Sequence, residues 1–183
     1  NLGGAVERGV PITSDSSVEG LGASLASLDM NGDGIAELIV GAPGGARGAV
    51  YLFDGALIGA EAGSLTTDDA DITWTGPVSG APLGGETLGA GRVTDDGYDD
   101  VYASSYVADA AKPRTFYTML GGANPASGAA SDLAMSSVTD IMGFTADAAV
   151  NFPSAAAADL DGDLKPELVI GSPGESPGRV YVF

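Results

Sequence analysis

The chain reads DMNGDGIAELIVGAP over residues 29–43 and DLDGDLKPELVIGSP over residues 159–173, 130 positions later. A second pair of segments keeps the same offset, because GAVYLF at 48–53 returns as GRVYVF at 178–183. Self-similarity at a fixed period is typical of repeat architectures, in which each unit is one supersecondary structure. The two pairs therefore predict that the chain contains copies of one structural unit.

A weaker copy lies between these two. Asp96-Gly97 falls 63 positions after Asp33-Gly34 and 67 positions before Asp163. Leu88-Gly89-Ala90 also resembles Leu21-Gly22-Ala23. The offset of 130 is therefore two periods, and we predict three units of about 65 residues each.

Each unit is predicted to contain four short antiparallel strands. In the first unit, apolar runs at 21–28, 38–40 and 49–53 are separated by Gly, Pro and Asp, which are turn residues. The β-branched and aromatic run at 71–75 is predicted to be the fourth strand. Four strands at this period are typical of one β-propeller blade. The predicted fold class is therefore all-β, with three propeller blades.

The predicted organisation is one repeat domain over residues 1–183. It divides into an N-terminal strand with a linker, blade 1, a degenerate blade 2 and blade 3, at residues 1–20, 21–84, 85–147 and 148–183. Blade 3 is predicted to lack its outer strand. We predict that the segment Gly4–Ile12 supplies this strand, either in the same chain or in a neighbouring chain.

Composition excludes several classes of function. The chain has 183 residues and a formal net charge of −18, which argues against nucleic-acid binding and against a polybasic membrane surface. It is 44% hydrophobic, which argues against disorder, and no apolar run is long enough to insert into a membrane. His and Cys are both absent, so Ser-His-Asp and Cys-His catalysis are excluded. We expect a protein that is not an enzyme.

Acidic residues at alternate positions of the two strong loops predict calcium sites. Carboxylate, amide and backbone carbonyl oxygens are the ligands that Ca²⁺ takes, and alternate residues of a tight loop converge on one cation. The predicted ligands are side chains at the first, third, fifth and ninth loop positions and a backbone carbonyl at the seventh. They are Asp29, Asn31, Asp33, Ile35 and Glu37 in one loop, and Asp159, Asp161, Asp163, Lys165 and Glu167 in the other. The alternative is an acidic turn of solvated Asp and Asn.

The middle loop departs from this pattern. Its first position is Arg92 and its third is Thr94, and Arg cannot ligate a cation. Our hypothesis is that Arg92 replaces the metal by pairing with Asp96 or Asp100, since a guanidinium matches a carboxylate in geometry. The alternative is a plain surface turn in a degenerate repeat.

The order of these motifs resembles the FG-GAP repeat. Leu-Gly-Ala-Ser at 21–24 is followed by the Asp-rich loop, Leu-Ile-Val-Gly-Ala-Pro at 38–43 and Gly-Ala-Val-Tyr-Leu-Phe at 48–53. The resemblance implies the propeller found in integrin α heads and in bacterial surface proteins. It implies structural calcium and an extracellular or cell-surface location. The departures are Leu21-Gly22 in place of Phe-Gly, and Glu in place of Asp at the closing position of both calcium loops.

Three blades are too few to close a ring. The expected partners are therefore other copies of the chain, joined head to tail by strand addition into a ring or filament, or the rest of a longer propeller. The predicted role is structural or adhesive, with a protein or glycan ligand. One alternative is a lectin-like module, for which Trp74 and Tyr106 are the aromatic candidates, although Trp74 reads as a packing residue. The other is an accessory propeller of a larger secreted enzyme.

Overall fold

The structure is a computed structural model. It describes residues 9–14, 20–60, 63–76, 79–80, 82–92, 94–105, 116–123, 136–137, 154–172 and 177–182. Across these residues the fold is β-sheet, apart from helix α1 (Gly55–Ala60) and a 3₁₀ turn (Thr67–Asp69). None of the helices among them is long and apolar enough to cross a membrane.

Three antiparallel sheets follow one another along the chain, as the repeat predicts. The first sheet has the strand order β2-β3-β4-β6, the second β7-β8-β9-β10 and the third β11-β12-β13. The short strands β1 and β5 pair separately and in parallel. In chain order, the strands are β1 (Ile12–Thr13), β2 (Ser24–Leu28), β3 (Glu37–Ala42), β4 (Ala49–Phe53), β5 (Leu65–Thr66), β6 (Ile72–Thr75), β7 (Leu83–Gly91), β8 (Asp100–Ser105), β9 (Phe116–Met119), β10 (Ser136–Ser137), β11 (Ser154–Ala158), β12 (Glu167–Ser172) and β13 (Arg179–Val182).

The first sheet confirms the predicted four-stranded unit, and its central strands β3 and β4 are buried on both faces. β4 lies between β3 and β6, and all five of its residues are buried. Continuous rather than alternating burial is expected of a strand whose two faces are both covered. The sheet therefore packs against a layer on each side.

One face of the first sheet packs against the second sheet. Ile39, Val50 and Leu52 share a hydrophobic core with Val101 and Ala103 of β8. The two backbones approach closely near Gly41, where an added Cβ would collide with the carbonyl oxygen of Gly84. The Ser24 hydroxyl donates a hydrogen bond of 2.6 Å to that same carbonyl oxygen. A small residue and a hydroxyl thus mark the place where two sheets meet.

At β3 and β4, the opposite face of the first sheet is covered by other segments of this chain. Its core of Val40, Tyr51 and Phe53 packs against β1, α1 and β5. Helix α1, which we did not predict, begins where the Asp54 carboxylate accepts a hydrogen bond from the Ala56 N–H at 2.7 Å, as capping Asp residues do. The segment between β4 and β6 therefore folds back over its own sheet.

The structure describes only the end of the predicted N-terminal strand. Residues 1–8 lie outside the described residues. Ile12–Thr13 pairs with Leu65–Thr66, so the last residue of the predicted segment lies beside the first sheet. That the segment Gly4–Ile12 completes the third sheet of this or a neighbouring chain stays a prediction. The Pro11 carbonyl accepts a hydrogen bond from the Leu65 N–H at 2.9 Å, and Ile12 is packed against the first sheet. Apolar burial next to the first sheet holds this segment in place.

The third sheet packs on the second through small residues. An added Cβ on Gly91 would come within 3.2 Å of the Ala157 methyl carbon. Tyr102 is buried, and its hydroxyl donates to the Ala155 carbonyl at 3.4 Å. Burial raises the pKa of the Tyr102 hydroxyl, and a hydrogen bond with the Ala157 backbone lowers it in part. The Tyr102 ring therefore spans the boundary between the two sheets.

Candidate metal-binding loops

Three loops of equal length join the first two strands of the three sheets. We call them the first loop (29–37), the middle loop (92–100) and the last loop (159–167). The strand pairs Leu28–Glu37, Gly91–Asp100 and Ala158–Glu167 close them at equivalent positions. Each loop therefore places its ninth residue, which is always acidic, at the start of the second strand.

Asp29 organises the backbone of the first loop. Its Oδ1 accepts hydrogen bonds from the N–H groups of Gly32 and Asp33 at 2.8 and 3.0 Å, and its Oδ2 accepts from Gly34 at 2.9 Å. Gly34 has a φ of +87°, which is in the left-handed region that favours glycine. The chain thus folds around the first carboxylate.

The middle of the first loop repeats this use of side-chain oxygens. Asn31 Oδ1 accepts a hydrogen bond from the Asp33 N–H at 2.8 Å, and Asp33 Oδ1 accepts from the Ile35 N–H at 2.7 Å. The predicted contribution of Ile35 is its carbonyl, and this remains a prediction. Alternate side chains therefore turn toward the inside of the loop.

Glu37 closes the first loop from a buried position. Its side chain is 2% exposed, and Oε2 accepts a hydrogen bond from the Met30 N–H at 2.7 Å. Its Oε1 is buried, and no residue that the structure describes donates a hydrogen bond to it. One carboxylate oxygen from each of Asp29, Asp33 and Glu37 lies within 4.8 Å of the others. The first loop thus holds a cluster of three carboxylates, with one buried oxygen that lacks a donor in the described part of the chain.

The electrostatics of this cluster oppose the charged state of Glu37. Burial raises the pKa of Glu37 most strongly, and the Met30 N–H lowers it. The neighbouring carboxylates of Asp33, Asp29 and Asp54 raise it further. Burial and like charges both favour the neutral acid, so a cation placed among these oxygens would relieve the repulsion.

The last loop has the same plan with more exposure. Glu167 Oε2 accepts a hydrogen bond from the Leu160 N–H at 2.7 Å, as Glu37 does from Met30. Oxygens of Asp159, Asp161 and Glu167 lie within 4.8 Å of one another. Asp163 stands outside that three-residue cluster, and its Oδ1 accepts from the Lys165 N–H at 2.8 Å. The role of the Lys165 carbonyl remains a prediction.

In the middle loop, other groups of the protein donate hydrogen bonds to the closing carboxylate, Asp100. Asp100 is fully buried, and its Oδ2 accepts hydrogen bonds from the Thr94 N–H and hydroxyl at 2.8 and 3.0 Å. Its Oδ1 accepts from the Gly121 N–H at 2.9 Å. We did not predict this arrangement. Its signal in the sequence is a hydroxyl residue at the third position of a loop whose first position is not acidic.

The predicted pairing of Arg92 with Asp96 or Asp100 was wrong. Arg92 Nε lies 3.9 Å from Asp99 Oδ1, and the Arg92 side chain is 58% exposed. Asp100 is turned inward to its own donors, and Asp96 Oδ1 accepts from the Tyr98 N–H at 3.0 Å. Arg92 therefore forms a surface ion pair and does not fill the loop.

The first and middle loops contact each other. The Gly122 N–H donates a hydrogen bond of 2.9 Å to the Met30 carbonyl. The Tyr98 ring lies against Gly32, where an added Cβ would come within 3.0 Å of it. These two contacts hold the backbone of the first loop against the second sheet and the middle loop.

Comparison with known families agrees with this geometry. Residues 21–53 and 151–183 each match the FG-GAP repeat family, and each segment contains one acidic loop with the strands on either side. FG-GAP repeats are blades of β-propellers and are common in extracellular and cell-surface proteins. No curated protein matches the chain. The chain therefore carries two FG-GAP repeats in a nearly all-β fold of antiparallel sheets.

Proposed function

We propose that this chain is a non-catalytic, calcium-binding part of a β-propeller, with a structural or adhesive role outside the cell or on its surface. The observation that carries the proposal is Glu37 Oε1, a buried oxygen with no donor among the described residues. Leaving such an oxygen unpaired costs about 1–3 kcal/mol. The carboxylates of Asp29 and Asp33 lie beside it, so a cation fits the site better than a hydrogen-bond donor does.

The chemistry of the donor set favours calcium. The first loop offers carboxylate and amide oxygens, and the last loop offers carboxylate oxygens, so neither presents nitrogen or sulfur ligands. Hard cations prefer such ligands, and Ca²⁺ accepts the irregular geometry of a flexible loop more readily than Mg²⁺. Asp29, Asn31, Asp33 and Glu37 would hold one ion, and Asp159, Asp161, Asp163 and Glu167 the other. The bound ion would supply positive charge that lets these acids stay ionised together.

The role of calcium is to fix the hairpins of two blades. Each loop sets the spacing between the first two strands of its sheet, and the first loop also contacts the second sheet through Met30 and Gly32. Ordering this loop therefore stabilises both a blade and the boundary between two blades. We propose other copies of the chain or the rest of a longer propeller as partners, with a protein or glycan as ligand.

The aromatic residues of the described part do not favour a sugar platform. Trp74 is buried in the core between the first two sheets, as its strand pattern predicts, and Tyr102 and Tyr117 are buried as well. Tyr106, the other lectin candidate, lies outside the described residues. The burial of these aromatic side chains therefore favours a structural role over a lectin role.

The test is a calcium titration of chelator-treated protein by isothermal titration calorimetry. We expect two calcium ions per chain. Glu37→Gln removes one of them and Glu167→Gln removes the other, since each substitution deletes a charged ligand. Asp68→Asn serves as the matched control, because Asp68 is an exposed acid outside the loops. A stoichiometry unchanged in both loop variants would overturn the proposal.

A further inference from the structure

A carboxylate from outside the first loop lies beside the acid that closes it. Strand β3 pairs with β4 in antiparallel register, and the pair Leu38–Phe53 is the last one before the loop. The next position places Asp54 opposite Glu37. The charge of Asp54 is close enough to act on the Glu37 carboxylate. Asp54 stands outside the cluster formed by Asp29, Asp33 and Glu37, so it is a neighbour of that cluster and not a member.

The segment that follows the third strand crosses the first and middle loops at the same place. An added Cβ on Gly55 would collide with the Ala36 carbonyl oxygen, and one on Gly121 would collide with the Asp99 carbonyl oxygen. Ala36 and Asp99 are both the eighth residue of their loops. The two sheets can therefore be compared residue by residue at this crossing.

The two segments offer different groups to the closing acid. In the second sheet, the Gly121 N–H donates a hydrogen bond of 2.9 Å to Asp100 Oδ1, and the residue opposite Asp100 is the apolar Leu120. In the first sheet, the residue opposite Glu37 is Asp54, and Glu37 Oε1 accepts no hydrogen bond from the described residues. The first sheet thus places a negative charge where the second places a donor and an apolar side chain.

Two hydrogen bonds hold Asp54 in place. Its Oδ1 accepts from the Ala56 N–H at 2.7 Å at the start of α1, and its own N–H donates to Asp71 Oδ2 at 2.7 Å. Asn and Ser cap helices as well as Asp does, because each offers an oxygen to the helix N–H. The cap therefore accounts for an oxygen at position 54 but not for its negative charge.

We propose that Asp54 raises the calcium affinity of the first loop from outside it, as a charged neighbour of the ligands and not as a ligand. This inference rests on the proposed function, because it concerns the cation that Asp29, Asp33 and Glu37 would hold. A carboxylate attracts a divalent cation without touching it. The cap and the Asp71 hydrogen bond fix Asp54 beforehand, so little ordering is needed when the ion binds. The first site is thus built from two segments, the loop and the end of β4.

The test is a calcium titration by isothermal titration calorimetry in the Glu167→Gln chain, which we expect to keep the first site alone. Adding Asp54→Asn is expected to weaken calcium binding about 3- to 10-fold at low salt, because a nearby charge is lost. The stoichiometry should stay at one ion, because no ligand is lost. The ratio of the two affinities should fall toward 1 in about 1 M salt, where the Debye length is about 3 Å. Asp68→Asn is the control, because it removes the same charge from an exposed position outside the loops.

A second variant separates the charge of Asp54 from its cap. Asp54→Glu keeps the charge but carries it on a longer side chain that is not a preferred cap, whereas Asp54→Asn keeps the cap and loses the charge. Asp54→Glu is therefore expected to keep most of the calcium affinity and to unfold at lower urea in a chelator. Asp54→Asn is expected to lose affinity without unfolding at lower urea in a chelator.

The outcomes distinguish this inference from the proposed function. Equal calcium affinities of the parent and Asp54→Asn at low salt would overturn the role of Asp54 and leave the calcium site standing. A loss of affinity that salt does not reduce would also overturn it, because an effect of loop geometry is not screened. No calcium binding by the unsubstituted chain would overturn the proposed function, and the role of Asp54 with it.

Discussion

The first and middle loops have the same length and the same place in their sheets, but their buried closing carboxylates differ in the hydrogen bonds that they accept. In the first loop, Glu37 has one buried oxygen that accepts from no described residue, and it lies next to two more carboxylates. In the middle loop, Asp100 accepts hydrogen bonds from Thr94 and Gly121. One backbone plan thus serves a loop for which we propose a cation and a loop whose closing acid is held by protein groups. Stability should depend on calcium in the first loop and not in the middle one.

Removing calcium should have the largest effect. A ligand at about 100 times its dissociation constant stabilises a protein by about 2.7 kcal/mol per site, so chelation removes roughly 5 kcal/mol from two sites. The measurement is urea unfolding in calcium and in a chelator, followed by circular dichroism and Trp74 fluorescence. Equal unfolding midpoints in the two conditions would contradict the comparison.

Asp100→Ala should have the next largest effect, and the effect should not depend on calcium. The substitution leaves the half-buried N–H groups of Thr94 and Gly121 without their acceptor, which costs about 3 kcal/mol in total. The same urea experiment measures it. Asp95→Ala is the control, because Asp95 is an exposed acid of the same loop. A loss that appears only in calcium would show that the middle loop also holds an ion.

Glu37→Gln should change sign between the two conditions. In calcium it removes a ligand and lowers the free energy of unfolding by about 2–3 kcal/mol. In a chelator it removes a buried charge next to two carboxylates, so it raises the free energy of unfolding by about 1 kcal/mol. Destabilisation of the same size in both conditions would mean that Glu37 acts only through its hydrogen bond to Met30.

The pH dependence of the free energy of unfolding of the metal-free protein tests the same cost of a charged Glu37. The folded protein raises the pKa of Glu37 above its ordinary value of 4.5. A group of this kind contributes its stability below the unfolded pKa and loses it as the pH rises through the folded pKa. Lowering the pH toward 4.5 should therefore stabilise wild type relative to Glu37→Gln. A difference between the two proteins that does not change with pH would contradict this.

Arg92→Ala should have the smallest effect. Its ion pair with Asp99 is long and exposed, and such pairs contribute between about 0 and 1 kcal/mol. We expect a change of less than about 0.5 kcal/mol in the urea experiment, with or without calcium. Arg47→Ala, a second exposed arginine, is the reference. A larger loss would restore the view that Arg92 substitutes for a metal.

The sequence alone determined the period, the four-stranded plan of the first sheet and the two acidic loops. These features depend on spacing along the chain. The two strong copies keep one offset of 130 residues, and the apolar runs with the turn residues between them are local features. The acidic closing position of each loop follows from the same spacing, because the paired strand ends are nine positions apart in all three loops.

Only the tertiary structure decided which of these groups are buried and against what. Glu37 and Glu167 occupy equivalent positions, but Glu37 is 2% exposed and Glu167 is half-buried, because the second sheet and its loop lie beside the first loop. Arg92 was predicted to pair with Asp96 or Asp100, but the Asp100 carboxylate already accepts hydrogen bonds from Thr94 and Gly121. Val50 and Val180 show the same contrast, since one lies under a neighbouring sheet and the other faces solvent. Burial depends on segments distant in sequence, which no local spacing records.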